Sequence, residues 1–175
     1  RRRASRQQPT TGGGVCYVPR RGRGLALAGL LMSLTTKALR QRVEAALSAV
    51  AGFTLSPLVI DNFARSPESV MHRGFAVGVP ESRWTQSGRQ RVTVGSLDET
   101  TIAVRYAYKL KPKAQNASYD AALDDERSLI KAVTGMSRVN VTGLVYDNTR
   151  RAVLESGEWV VLDVAFSAQH LSPLE

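Results

Sequence analysis

The chain has 175 residues, 24 basic and 15 acidic side chains, a formal net charge of +9 and an apolar fraction of 43%. These figures allow one domain with a real core and exclude a globally disordered chain. A single cysteine, Cys16, excludes an internal disulfide framework and a cysteine-rich metal motif.

The positive charge is unevenly placed. Seven arginines (Arg1, Arg2, Arg3, Arg6, Arg20, Arg21 and Arg23) precede Met32, and the first acidic residue is Glu44. From Met32 onward 17 basic residues face 15 acidic ones, a net of only +2. Residues 1–31 are rich in Arg, Gly, Thr and Gln and lack a sustained hydrophobic period. They read either as a basic flexible arm or as a non-native leader ahead of a natural start at Met32. The longest apolar run, "LALAGLLM", is far short of the roughly 20 residues that span a bilayer. It resembles the apolar region of a signal peptide, but no clear cleavage site follows.

The elements then follow in chain order. Thr35 or Thr36 can cap a helix whose Leu39, Val43, Ala46, Leu47 and Val50 form one apolar stripe, and Gly52 is expected to end it. Residues 53–71 look irregular, punctuated by Pro57 and Pro67. "GFAVGVP" alternates Phe75, Val77 and Val79 as a strand that Pro80 closes. "RQRVTVGS" repeats the alternation with Val92 and Val94. A turn through "GSLDE" then leads into "TTIAVRYAYKL", suggesting a strand pair with a short connection.

A second helix is expected in "YDAALDDERSLIKAVTG", with acidic residues early, Lys131 late and a buried stripe of Ala122, Leu129, Ile130 and Val133. Two strands follow: "SRVNVTGLVYD", with Val139, Val141 and Val145 in phase, and "GEWVVLDVAFSAQH". In the last strand Val160, Leu162, Val164 and Phe166 share one face. The other face, with Trp159, Val161 and Ala165, is nearly as apolar, so the strand is either central or in contact with another subunit. Its one charge, Asp163, is expected to meet Arg105 across neighbouring strands. The reading is an α+β domain over residues 32–175: a mostly antiparallel sheet of about five strands with two main helices packed on it, in the order α-β-β-β-α-β-β.

Catalytic chemistry needs a constellation, and none emerges. His72 and His170 sit at strand ends in polar surroundings and read as surface residues. No nucleophile-elbow motif occurs, and "TGGGV" lacks the Lys-Ser/Thr ending of a phosphate loop. Asp124, Asp125 and Glu126 fan out by about 100° per residue, so they cannot converge on one ion and read as a solvated helix face. The sequons at Asn116 and Asn140 carry no weight without secretory evidence. The expectation is a non-enzyme with no catalytic, metal or cofactor site and no membrane partner. Two basic sets remain as candidate partner or lumen contacts: Arg83, Trp84, Arg89 and Arg91 in "ESRWTQSGRQR", and Lys109, Lys111 and Lys113 before the second helix. A near-neutral domain argues against a dedicated DNA reader.

The segments "MSLTTKALRQRVEAAL", "HRGFAVGVP", "TIAVRYAYKLKP", "YDAALDDERSLIKAV" and "GEWVVLDVAFSAQH" together resemble tail-terminator (tail-completion) proteins of long-tailed bacteriophages. The resemblance runs from residue 32 to about 171 and carries no catalytic set. It implies helices packed on a sheet and a homo-oligomeric ring, commonly a hexamer, that caps the tail tube. Such a ring stops tube polymerisation and joins the tail tube protein to the head-side connector or head-closure protein. It further implies assembly in the host cytoplasm, residence in the virion at the tail or neck, and DNA passing through the lumen without specific binding. Two other readings stand beside it: a head-closure or other neck protein, and a small nucleic-acid-binding protein acting through its arginine-rich arm.

Overall fold

In the computed structural model, residues 34–65, 69–84 and 96–172 are described, with only the backbone described at Trp84 and Ser96. The expected arm 1–31, Cys16, Met32, Pro67, Arg89, Arg91 and the strand through Val92 and Val94 lie outside the described residues.

Thr35 opens the fold. Its side-chain oxygen accepts the Ala38 N–H at 3.1 Å and caps helix α1 (Thr36–Ser48), whose Leu39, Val43 and Leu47 are fully buried. The helix ends before Gly52. Ala49 is its C-cap, and Gly52 lies in the turn beyond. The stretch expected to be irregular contains a two-residue strand, β1 (Thr54–Leu55), which pairs in parallel with β2 (Gly74–Trp84). Then come β3 (Ser96–Lys109), helix α2 (Gln115–Thr134), β4 (Val141–Val153) and β5 (Trp159–Ser172).

The sheet order is β1-β2-β3-β5-β4. All pairings except β1–β2 are antiparallel, so the α+β architecture with a mostly antiparallel five-stranded sheet and two helices is as read from the sequence. Strands β3 and β4 flank β5 and therefore run parallel to each other, with α2 as the crossover between them.

Both helices pack on one face of the sheet. Leu39, Val43 and Leu47 of α1 and Ala122, Leu129 and Val133 of α2 join Phe75, Val77, Ile102, Val104, Tyr106, Leu162, Val164 and Phe166 in the main core. A second, smaller cluster lies on the opposite face. There Phe63 and Val70, from the segment between β1 and β2, cover Ala76, Ala107, Trp159 and Val161. The doubly apolar β5 is thus an interior strand, covered twice along its first residues.

Three local expectations change. Pro80 does not close β2, which continues to Trp84 through a register shift between Gly78 and Glu81. β1 pairs with β2 only at Gly74 and Phe75, so Pro80 falls on an open edge at a bulge, where a missing N–H is tolerated. Ser96 to Glu99 are strand, not turn. In β4 the valines are not in phase. Val141 is buried, whereas Val139 and Val145 are exposed. Gly143, at φ 72°, opens one of two register shifts in that strand, and each shift breaks the alternation.

Candidate interaction surfaces

The described members of the two basic sets occupy opposite ends of the β2–β3 pair. Arg83 and Trp84 end β2, opposite Glu99 and Asp98 of β3. Arg83 is largely exposed, and its Nε donates to Glu81 Oε1 at 2.6 Å, a contact that raises its pKa. At the other end of β3 the exposed Lys109 holds its ammonium 5.6 Å from the centre of the Trp159 ring. Lys111 and Lys113 follow in the exposed connection to α2. Gly74 and Trp84, ten residues apart along β2, bracket the separation at about 33 Å. The structure therefore does not bring the sets together. It gives the subunit two distinct polar ends.

Arg105 and Asp163 face each other in the β3–β5 register, and Arg105 Nε donates to Asp163 Oδ1 at 2.6 Å. The same guanidinium donates to the carbonyls of Ile60 and Phe63 at 3.1 and 3.3 Å. Those carbonyls belong to a single turn, closed by the Asn62 and Phe63 amides on the Val59 carbonyl and ended by Ala64 in the left-handed region. A cation at the carbonyl end of a turn is electrostatically favourable, so Arg105 fastens this turn to the sheet. Gly78 lies beneath the turn, and a Cβ there would meet Ile60 Cγ2 at 2.5 Å. Beside the turn runs a groove of about 440 Å³, lined by Asp61, Pro80, Ala103, Asn148, Arg150 and Asp163.

The acidic cluster of α2 is not a solvated face. Asp124 is exposed and only loosely paired, 3.7 Å from Arg127, but Asp125 and Glu126 are buried. They lie three and four residues after Ala122, on the stripe that continues to Leu129 and Val133. Asp125 accepts from Arg73 Nε and Nη2 at 2.8 and 2.5 Å and from the Tyr106 hydroxyl. Glu126 accepts two bonds from Arg151, both at 2.8 Å. The bond to Asp125 raises the Arg73 pKa, and burial followed by the same carboxylate raises that of the Tyr106 phenol. Both carboxylates are thus structural ties between α2 and the sheet. Their partners are 52 and 25 residues away in sequence, which is why neighbouring residues carry no signal of them.

His170 is also not a surface residue. It is fully buried at the end of β5, where its Nε2 lies 2.9 Å from Thr100 Oγ1, and that hydroxyl lies 2.6 Å from Ser82 Oγ. Burial lowers its pKa. Thr100 and His170 have no solvent exposure, whereas Ser82, at the outer end of this serine–threonine–histidine chain, is exposed. His72 is exposed, accepts the Lys109 N–H at 3.1 Å, and has its pKa lowered by partial burial and then by Arg73. Among the described residues no three His, Cys, Asp or Glu side chains gather as a metal site, and no helix is long and apolar enough to cross a membrane.

Exposed apolar side chains collect along the two sides of the sheet. Leu55, Leu58 and Val59, the last 65% exposed, border the β1 side. Val145, Tyr146 and Val153 border β4, with Val145 and Val153 more than half exposed. Nothing in the sequence pattern singles these residues out, because exposure of isolated valines and leucines is common.

No family model and no curated protein sequence matches the chain. Among solved structures, it is similar to a chain from the virion of a native gene transfer agent (GTA) particle, at 16% identity and a TM-score of 0.42, covering 85% of this chain and 99% of that one. A superposition that loose carries no inference about function.

Proposed function

We propose that this protein is a structural virion subunit that forms a ring, caps the end of a phage tail tube, stops its polymerisation and joins the tail to the head-side connector. The observation that carries this reading is the separation of two polar ends along one strand pair, together with two sides of the sheet that carry no further strand among the described residues. A ring subunit needs four non-equivalent surfaces: two to meet its own copies, one for the tube and one for the connector. The subunit supplies surfaces between its ends for the copies and its ends for the two different neighbours. The sequence resemblance to tail terminators supports the same assignment, with a hexamer as the expected stoichiometry and DNA passing through the lumen unbound. The protein then resides in the virion at the tail or neck, after assembly in the host cytoplasm, and does no catalysis.

The test is complementation of a phage particle with end-specific variants. Lys109→Ser/Lys111→Ser/Lys113→Ser and Arg83→Ser alter exposed side chains and are expected to leave the monomer folded. Each should block a different junction. One should yield unjoined tails that carry the protein, and the other overlong tubes that lack it. Normal infectious particles from both variants would refute the assignment of the ends. Finding the protein on filled heads and never on tails would favour a head-closure role instead.

A further inference from the structure

The face of the sheet away from the helices is covered only in part. Phe63 and Val70 close it over Ala107 and Val161, and beside them the groove of about 440 Å³ reaches from Asp61 and Pro80 across β3 and β5 to Arg150 of β4. Three strand spacings, about 14 Å, separate β2 from β4. The floor includes Ala103 and Ala165, neighbours in the register and small enough to let another element come close. The Arg105–Asp163 pair in that floor is closed on itself. Two charges at the rims are not. Asp61 on the turn side and Arg150 on the β4 side are exposed, and among the described residues neither has an ionic or hydrogen-bonded partner. Asp147, a further charge on β4, accepts the Ser167 hydroxyl at 2.9 Å.

The outer face of α2 carries a matching pattern. Asp120, Asp124, Arg127 and Lys131 are all exposed and recur at i, i+4, i+7 and i+11, one stripe opposite the buried Ala122, Leu129 and Val133. The acids come first and the bases last, over about 16 Å of helix. Within the stripe, Asp124 and Arg127 hold each other only loosely, at 3.7 Å. Helix α1 offers no such pattern. Its exposed positions are Lys37, Gln41, Ala45 and Ser48, and its acid, Glu44, is held by Arg40 at 2.6 Å.

We infer that copies of this chain stack front to back, the outer stripe of α2 on one copy lying in the groove of the next. Asp120 and Asp124 then meet Arg150, and Arg127 and Lys131 meet Asp61. The inference rests on the ring-forming reading above and specifies its copy-to-copy contact. Charge sets the direction of the helix in the groove, because the reverse places acids on Asp61 and bases on Arg150. α2 and the groove lie on opposite faces of the sheet, so two copies cannot give each other both surfaces. The contact is therefore heterologous, and its repetition closes a ring or runs on as a fibre.

The experiment is a charge-swap series followed by sedimentation velocity and native mass spectrometry of the full chain. Arg150→Glu in the groove and Asp120→Lys/Asp124→Lys on the helix each place like charges at every contact. Each is expected to raise the concentration needed for assembly about tenfold or more. Mixed in equal amounts, the two variants can alternate. Every second contact then pairs the introduced charges, and the contacts between keep the native pairing, so rings with an even number of subunits should return. The variant R150E/D120K/D124K, carrying the swap in one chain, should also assemble. Thermal melts of each variant near the wild-type midpoint show that the fold is intact. Assembly that is lost with Arg150→Glu but untouched by the helix substitutions would move the contact to the β4 edge, where Arg150 meets Asp147 of a two-fold-related copy, and would overturn this one. Variants that all assemble like wild type, or a mixture that stays dissociated, would overturn it while leaving a ring possible. Wild-type protein that never assembles would overturn the ring-forming reading as well.

Discussion

Strands β5 and β4 are neighbours in one sheet and have opposite surroundings. β5 is interior: Val160, Leu162 and Phe166 are fully buried on the helix side, and Trp159 and Val161 are buried on the other. β4 pairs with β5 over nearly its whole length, yet after Leu144 every residue is at least partly exposed. Burial makes β5 the strand on which stability depends, whereas β4 carries most of its side chains at the surface, with Arg151 on Glu126 and Tyr146 against Phe166 as its ties to the rest of the subunit. Burial and exposure are thus separated by a single strand spacing, about 4.8 Å.

The largest expected effect tests that contrast directly. Phe166→Ala should cost about 3–5 kcal/mol in a urea denaturation series, whereas Val145→Ala should stay within about 0.5 kcal/mol of wild type. Equal losses at the two sites would remove the distinction between them. Asp125→Ala should follow, at about 3 kcal/mol, because it strands Arg73 and the buried Tyr106 hydroxyl together. A cost below about 1 kcal/mol would mean that α2 is not tied to the sheet through this carboxylate.

Gly78→Ala should cost about 1–3 kcal/mol by pushing Ile60 off the sheet, and shortening that side chain with Ile60→Ala should recover part of the loss. If the double variant is worse by the full sum of the two singles, the close approach of Ile60 is not the cause. Smaller still is the acid response of His170. Its pKa is lowered in the fold, so the unfolded chain takes up the proton first as the pH falls. The contribution of neutral His170 is complete above about pH 6.5 and is lost as the pH drops through its folded value, by at most about 1.4 kcal/mol per pH unit. His170→Gln should flatten the decline of the melting midpoint below about pH 6.5, and an unchanged slope would assign it to other groups.

The helices and the strands β3 and β5 are legible in the sequence because each carries a clean period, and of the two places open to the doubly apolar β5 the structure gives the interior one. Leu39, Val43 and Leu47 recur at helical spacing, and from Trp159 to Phe166 β5 is apolar on both faces apart from Asp163. The pairing of Arg105 with Asp163 is also legible, since Arg105 stands between Ala103 and Ala107 on its face of β3 and Asp163 between Val161 and Ala165 on its face of β5. The phase of β4 is not, because two register shifts move its side chains between faces without any apolar signal. Asp125 and Glu126 mislead for a related reason. Their charge suggests water, while their spacing from Ala122 and Leu129 places them on the buried stripe. Here spacing is the better guide.

Negative-stain imaging of the purified chain at high concentration tests most directly whether it works as a repeated block with two fitting sides. Annular particles of one diameter with an open centre are expected. Solitary particles at every concentration, with the fold intact by circular dichroism, would contradict it.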